Sequence, residues 1–257
     1  MALITSAPRH SYRESQDETK LQPTPYHSRH HRPARNASGR RQHLFRHRAG
    51  QSARRRQDVD PNGDMPDVTP PEDLMREHGV LNRVLLIYEA AMRKFADDDR
   101  FDALIITQAA EIVRDFIEDY HERNEEQQIF PRFRKAGQLL NLVDVLYQQH
   151  QAGRRLTETI LKLAPQSGAP GDARQPLTDA MRLFIAMYRP HEAREDTVLF
   201  PKLRSVASAH EFEAMAEDFE EDEHRKFGED GFEVMVERVA GLERALGIYD
   251  LAKFTPR

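Results

Sequence analysis

Histidine and glutamate recur at a spacing that would let them share a metal ion. His121 and Glu125 are four residues apart, and the same pair returns as His191 and Glu195, 70 residues later. On an α-helix, side chains four residues apart project from one face, with Cβ atoms roughly 5–6 Å apart. Each pair can therefore bind one metal ion, and the repeat predicts two copies of one helical unit.

Four of the six histidines after residue 70 fall on apolar helical stripes, one in each of four predicted helices. They are His78, His121, His150 and His191. A lone histidine in a core is usually a hydrogen-bonded packing residue, but four at matched levels favour a metal site, because buried polar groups are costly unless paired or coordinating. Imidazole and carboxylate ligands without sulfur suit iron, manganese or zinc. Glu125 and Glu195 could bridge two ions, as carboxylates do in di-iron bundles.

The elements that must position these residues are four long amphipathic helices. Their apolar stripes predict helices from about residue 70 to 95, 101 to 129, 139 to 163, and 174 to 200. The pairs Phe130-Pro131 and Phe200-Pro201 are expected to end or kink the second and fourth helices. The predicted fold class is all-α: an up-down-up-down four-helix bundle over residues 71–205, with one or two extra C-terminal helices in residues 206–257 packed on it.

The first 70 residues differ in composition from the rest of the chain. Residues 1–56 carry a net charge of +10, whereas the whole chain carries −5. Few large apolar residues occur in this segment, so residues 1–70 are predicted to form a disordered tail. Its arginines could contact nucleic acid or another anionic surface. Translation that began at Met65 would remove the tail.

Composition also limits the classes of function. The chain has no cysteine, which excludes disulfides, thiolate metal ligands and cysteine nucleophiles. It has no apolar run of the roughly 20 residues that cross a bilayer and no signal-peptide core. We therefore expect no transmembrane segment and a cytoplasmic location.

The ordered pattern of His78, His121-x-x-x-Glu125, His150 and His191-x-x-x-Glu195 resembles the hemerythrin, or HHE cation-binding, family. The resemblance covers about residues 72–205. It implies a non-haem di-iron site, with two iron ions bridged by carboxylates and in some states by an oxo group, in a four-helix bundle. Such sites react with dioxygen, peroxide or nitric oxide.

The chain departs from the oxygen-carrier pattern of that family at Arg154, where carriers have a second histidine on the third helix. The spacing from His191 to Glu195 is also shorter than the carriers' spacing from histidine to aspartate. Both departures favour peroxide handling, by an enzyme of catalase or peroxidase type, over reversible oxygen carriage. An external electron donor would be needed if the centre is redox-cycling, because the sequence has no recognisable nucleotide or flavin motif. The alternatives are a non-enzymatic iron or oxygen sensor, an iron-storage module, or a mononuclear zinc site.

Several further residues are candidates for completing the site. Glu122 is adjacent to His121, and His224 with Glu221 could fold over the open end of the bundle. Tyr188 and Tyr147 each precede a ligand histidine by three residues. Either tyrosine could donate a hydrogen bond or a proton at the site. For each of these five residues, ordinary packing or solvent exposure is the competing interpretation.

Overall fold

The computed structural model describes residues 68–167 and 173–256, and in these ranges the chain is all-α, as predicted. The rest of the predicted tail, with Met65, lies outside the described residues. The described residues form six long helices. These are α1 (Pro70–Ala96), α2 (104–136), α3 (Leu140–Leu163), α4 (Arg174–Arg194), α5 (Ala209–Phe227) and α6 (Gly231–Leu246). None of them is long and apolar enough to cross a membrane.

Helix α2 is continuous but contains two π-helical segments. It begins as an α-helix (Leu104–Ile112), has π-helical turns at Val113–His121 and Glu125–Ile129, and ends as an α-helix (Phe130–Ala136). Helix α4 similarly continues through a π-helical turn (Glu195–Leu199). π-Helical turns are rare and concentrate at functional sites. Both glutamates of the repeat begin such a turn.

The Phe-Pro pair of α2 does not end its helix, contrary to expectation, and a kink at either pair stays a prediction. Helix α2 continues past Pro131 and ends at Gly137, whose φ of +67° is the left-handed conformation that favours glycine. After α4, Pro201 opens a 3₁₀ segment (Phe200–Ser205) rather than a loop. Each proline stands directly after a π-helical turn, at one of the first two places of the next helical segment, where proline is well tolerated.

The core consists of two apolar clusters. One contains Tyr120 of α2 and Tyr188 of α4, together with most of the buried residues of α1. The other contains Ile129 and Leu199, which lie nine and eleven residues further along the same helices. The residues of the His/Glu pattern lie between the clusters in sequence on all four helices. A polar layer therefore separates two apolar layers, which shield it from water.

Helices α5 and α6 contribute side chains to both clusters. Phe212, Met215 and Phe219 of α5 are buried in one, and α6 supplies four side chains to the other. Helix α5 begins with the predicted capping box, in which the Ser208 N–H donates to Glu211 Oε2 at 2.8 Å. The proposed boundary between a bundle ending at residue 205 and a C-terminal extension stays a prediction, since both parts share these clusters.

Candidate metal centre

The structure brings the six principal candidate residues together in one buried layer. Each has between 0 and 3% of its surface exposed. Their ligand atoms fall into two overlapping groups. One group is His78, His121, Glu125 and Glu195, and the other is Glu125, His150, His191 and Glu195. Each group therefore contains two histidines, and both groups contain the same two glutamates.

The four Nε2 atoms point at the glutamate pair. Glu195 Oε2 lies 3.4 Å from His78 Nε2 and 3.1 Å from His191 Nε2. Glu125 Oε2 lies 3.7 Å from His121 Nε2 and 3.3 Å from His150 Nε2. Both oxygens of each glutamate lack a hydrogen bond within the described residues. Buried carboxylate oxygens without a partner are costly, so the donor set fits two cations, each held by two imidazoles and both carboxylates.

The other ring nitrogen of each histidine is hydrogen-bonded to an outer side chain. His78 Nδ1 is 2.8 Å from Asp196, His121 Nδ1 is 2.6 Å from Glu77, and His150 Nδ1 is 3.0 Å from Glu126. The fourth contact, 2.9 Å, joins His191 Nδ1 and the side-chain oxygen of Gln149. An acceptor at Nδ1 places the proton there and leaves Nε2 free to bind a metal.

The two glutamates have opposite pKa shifts. Burial, together with the charge of Glu195, raises the pKa of Glu125 to about 8, whereas His191 and His78 lower the pKa of the buried Glu195 carboxyl well below its ordinary value. Burial also lowers the pKa of the His121 imidazole well below its ordinary value. Neutral imidazoles and ionised carboxylates are the forms that bind metals, and a cation between the two carboxylates would favour the ionised state of both.

The contacts outside the ligands follow the internal repeat but differ between its halves. Glu122 and Glu192 occupy equivalent positions in the 70-residue repeat. Their partners are Arg154 and Asn82, respectively. These partners are also equivalent, because they are 72 residues apart, as His78 and His150 are. Arg154 lies 2.9 Å from Glu122 Oε2, whereas an amide nitrogen of Asn82 donates to Glu192. One half of the centre is therefore flanked by an ion pair and the other by a neutral donor.

The additional candidates have different locations. Tyr188 is buried and donates to Glu122 Oε1 at 2.6 Å, so both border the centre. Tyr147 is 40% exposed and packs under Arg134, so the structure does not bring it to the site. His224 and Glu221 are exposed on α5 and belong to neither His/Glu group.

Sequence reasoning missed the side chains that orient the histidines. Asp196 and Glu126 occupy equivalent positions in the 70-residue repeat, each directly after a repeat glutamate. Glu77 and Gln149 similarly precede the two histidines outside the repeat pairs. This regularity was a usable signal, because acidic or amide neighbours at matched positions are what metal-binding histidines need.

Comparison with known proteins agrees with this geometry. Residues 69–180 and 141–255 each match the family described as hemerythrin HHE cation binding domain. The chain is 52% identical over 202 residues to uncharacterized proteins of Mycobacterium bovis and of two strains of Mycobacterium tuberculosis, which covers 78% of this chain and 79% of each relative. No solved structure gives a significant match. With its repeat, its helical layer of histidines and these matches, the chain belongs to the hemerythrin HHE cation-binding domain family.

Proposed function

We propose that this chain is a non-haem di-iron protein that removes peroxide. The observation that carries the proposal is the buried glutamate pair, Glu125 and Glu195, whose oxygens lack hydrogen bonds and face four histidine Nε2 atoms. Two histidines and two shared carboxylates per ion form a nitrogen and oxygen donor set that iron accepts. The iron pair would supply reversible one-electron redox chemistry at each ion.

The donor count leaves room for a small ligand. The residues that would hold two irons are four histidines and two shared glutamates, so the chain would supply few enough donors for a small molecule to bind as well. Arg154, at the place where oxygen carriers have a histidine, is engaged with Glu122 and Glu126 at 2.9 and 2.8 Å. It supplies no imidazole, so the chain lacks the ligand set that reversible oxygen binding uses.

Peroxide fits the chain better than substrates that need a separate electron donor. Peroxide disproportionation uses one peroxide as oxidant and another as reductant, and the sequence carries no nucleotide- or flavin-binding motif. Dioxygen and nitric oxide remain further ligands of the same centre. An external electron donor would be needed only for their reduction.

Residues of the chain can handle the protons of this reaction. The Tyr188 hydroxyl donates to Glu122 Oε1, and Arg154 balances the charge of that carboxylate. All three border the layer that holds the histidines, and the glutamate and tyrosine are almost fully buried. The chain therefore holds a proton in a water-poor setting beside the centre, where a peroxide oxygen would need one.

The experiment is peroxide consumption by iron-loaded protein, measured as oxygen release with an electrode. Wild-type protein should release oxygen catalytically, and Glu125→Ala should lose both iron and activity. Glu158→Gln removes an exposed carboxylate on α3 and is the matched control, which should keep both. Iron-loaded wild-type protein that releases no oxygen would contradict the proposal and favour the sensor or iron-storage alternative.

A further inference from the structure

A second group of carboxylates lies on the α5 side of α1, outside the His/Glu layer. It consists of Asp73 and Glu77 of α1 and Glu223 of α5, and one oxygen of each lies within 4.8 Å of the others. No histidine belongs to this group. It is thus an oxygen-only set, distinct in composition from the centre described above.

Glu77 supplies the observation that points to a ligand. Its Oε2 is engaged with His121 Nδ1 at 2.6 Å, and its Oε1 has no hydrogen bond within the described residues. The neighbouring Tyr120 hydroxyl donates its one proton to the Phe219 carbonyl oxygen instead, at 3.3 Å. Only 1% of the residue surface is exposed. A fully buried carboxylate oxygen without a partner, beside two other carboxylates, is unfavourable unless a proton or a cation compensates it.

The other two carboxylates, Asp73 and Glu223, each make a contact within the protein and still have oxygen lone pairs that could bind a cation. Glu223 Oε1 accepts from the backbone N–H of Phe232 at 2.9 Å, which fixes the side chain at the start of α6. The nearest cationic contact of Asp73 is Arg76, at 3.7 Å. That guanidinium also lies 4.2 Å from the centre of the Phe232 ring and 3.8 Å from Glu233. Arg76 is therefore shared, and it does not neutralise the group.

An acidic groove connects Asp73 and Glu223 to solvent, with Glu77 buried behind them. The groove has a volume of about 1010 Å³, and eight acidic residues but two arginines line it. Burial and the neighbouring Glu223 raise the pKa of Asp73 to about 6. A groove lined by one sign of charge concentrates cations and gives them a path inward.

We propose that Asp73, Glu77 and Glu223 form a separate binding site for one divalent cation of the hard class, such as Mn²⁺, Mg²⁺ or Ca²⁺. Oxygen-only ligands select this class over metals that prefer nitrogen or sulfur. Glu77 belongs to this site through one oxygen and orients His121 through the other. The two sites therefore share a carboxylate, and occupancy of the outer site changes the hydrogen bond that fixes a histidine of the inner one.

The test is Mn²⁺ binding to iron-loaded full-length protein, with free Mn²⁺ followed by its paramagnetic resonance signal. Wild-type protein is expected to bind one Mn²⁺ per chain. Glu223→Gln, which keeps the oxygen that accepts from Phe232, should weaken that binding at least about tenfold because the ligand charge falls. Asp73→Asn, on the other helix, should do the same. Iron content is measured in parallel and should not fall in Glu223→Gln.

The matched control is Glu221→Gln, which removes an exposed carboxylate from the same helix outside the group. It should bind Mn²⁺ as the wild type does. Equal affinity in the wild type and in both Glu223→Gln and Asp73→Asn would overturn the proposal. So would an equal loss in Glu221→Gln, which would attribute the binding to the general charge of α5. Mn²⁺ affinity is measured apart from peroxide turnover, so failure of this proposal can be told from failure of the proposed function.

Discussion

At the scale of single residues, each histidine of the centre is fixed from both sides. One ring nitrogen faces the glutamate pair, and the other contacts an oxygen of Asp196, Glu77, Glu126 or Gln149. Three of these partners are carboxylates and one is an amide, so His191 has the weakest hydrogen-bond acceptor. The centre is held by its surroundings as well as by its ligands.

Tyr188 should matter for turnover and not for metal binding. Tyr188→Phe keeps the ring in the core and removes the hydroxyl that donates to Glu122. Loss of a positioned proton donor lowers rates by about 10²-fold or more. We expect unchanged iron content and a fall of that size in peroxide turnover, measured under saturating peroxide. Tyr147→Phe, on the surface of α3, is the control and should leave turnover unaltered; equal turnover in both variants would remove the proposed role.

Arg154 should stabilise the fold through Glu122. Arg154→Met leaves that buried carboxylate, 1% exposed, without its cationic partner. Breaking a buried pair costs roughly 3–5 kcal/mol, and the partly exposed Arg154 places this variant at the lower end, about 3 kcal/mol. Urea unfolding measures the loss. Arg155→Met, exposed and next in sequence, should cost under about 0.5 kcal/mol. Similar losses in the two variants would show that the ion pair contributes little.

At the scale of helices, the close packing of α3 on α4 and the π-helical turns determine where the site residues lie. Helices α3 and α4 approach closely at Gly153, where a Cβ would lie 1.9 Å from the Tyr188 hydroxyl oxygen. Because Gly153 has no side chain, the Tyr188 ring fits against α3 and its hydroxyl reaches Glu122. The π-helical turns at Glu125 and Glu195 are the second device at this scale, since each places a repeat glutamate in the layer between the apolar clusters.

Gly153→Ala tests the helix contact. The added methyl must displace Tyr188, so we expect a loss of about 1–3 kcal/mol in the free energy of unfolding. Gly79→Ala is the matched control in α1, where nothing lies within 4 Å of the added Cβ. There the higher helix propensity of alanine should increase stability by about 0.5–1 kcal/mol. A neutral or stabilising Gly153→Ala would mean that α3 and α4 are not in contact through Tyr188.

The heptad stripe of α1 predicted only part of its buried face, since Val80, Val84 and Ile87 are buried beside it. Leu74, His78, Leu81 and Leu85 are buried as their spacing requires, because an amphipathic helix has one consistent inner face. Apolar spacing could not predict the π-helical turns of α2 and α4, since these depend on tertiary packing. It also could not show that Tyr188 of α4 lies at the site and Tyr147 of α3 does not. Both precede a histidine by three residues, but only Tyr188 faces a glycine on the neighbouring helix.

At the scale of the whole molecule, the repeat produces two half-sites that only the assembled bundle completes. Each ion group takes a histidine from each of two helices and both glutamates, which come from α2 and α4. The family match in two overlapping segments agrees with this duplication. Neither half of the chain contains a full ligand set, so metal binding and correct helix packing should be inseparable.

The most direct measurement is the metal content per chain of purified protein, by elemental analysis, for the wild type and Glu195→Ala. Two irons per chain are expected in the wild type. Because Glu195 belongs to both ion groups, the variant should lose both ions, and Glu158→Gln should keep both. One ion per chain in the wild type, zinc in place of iron, or retention of one ion in Glu195→Ala would contradict the shared di-iron centre.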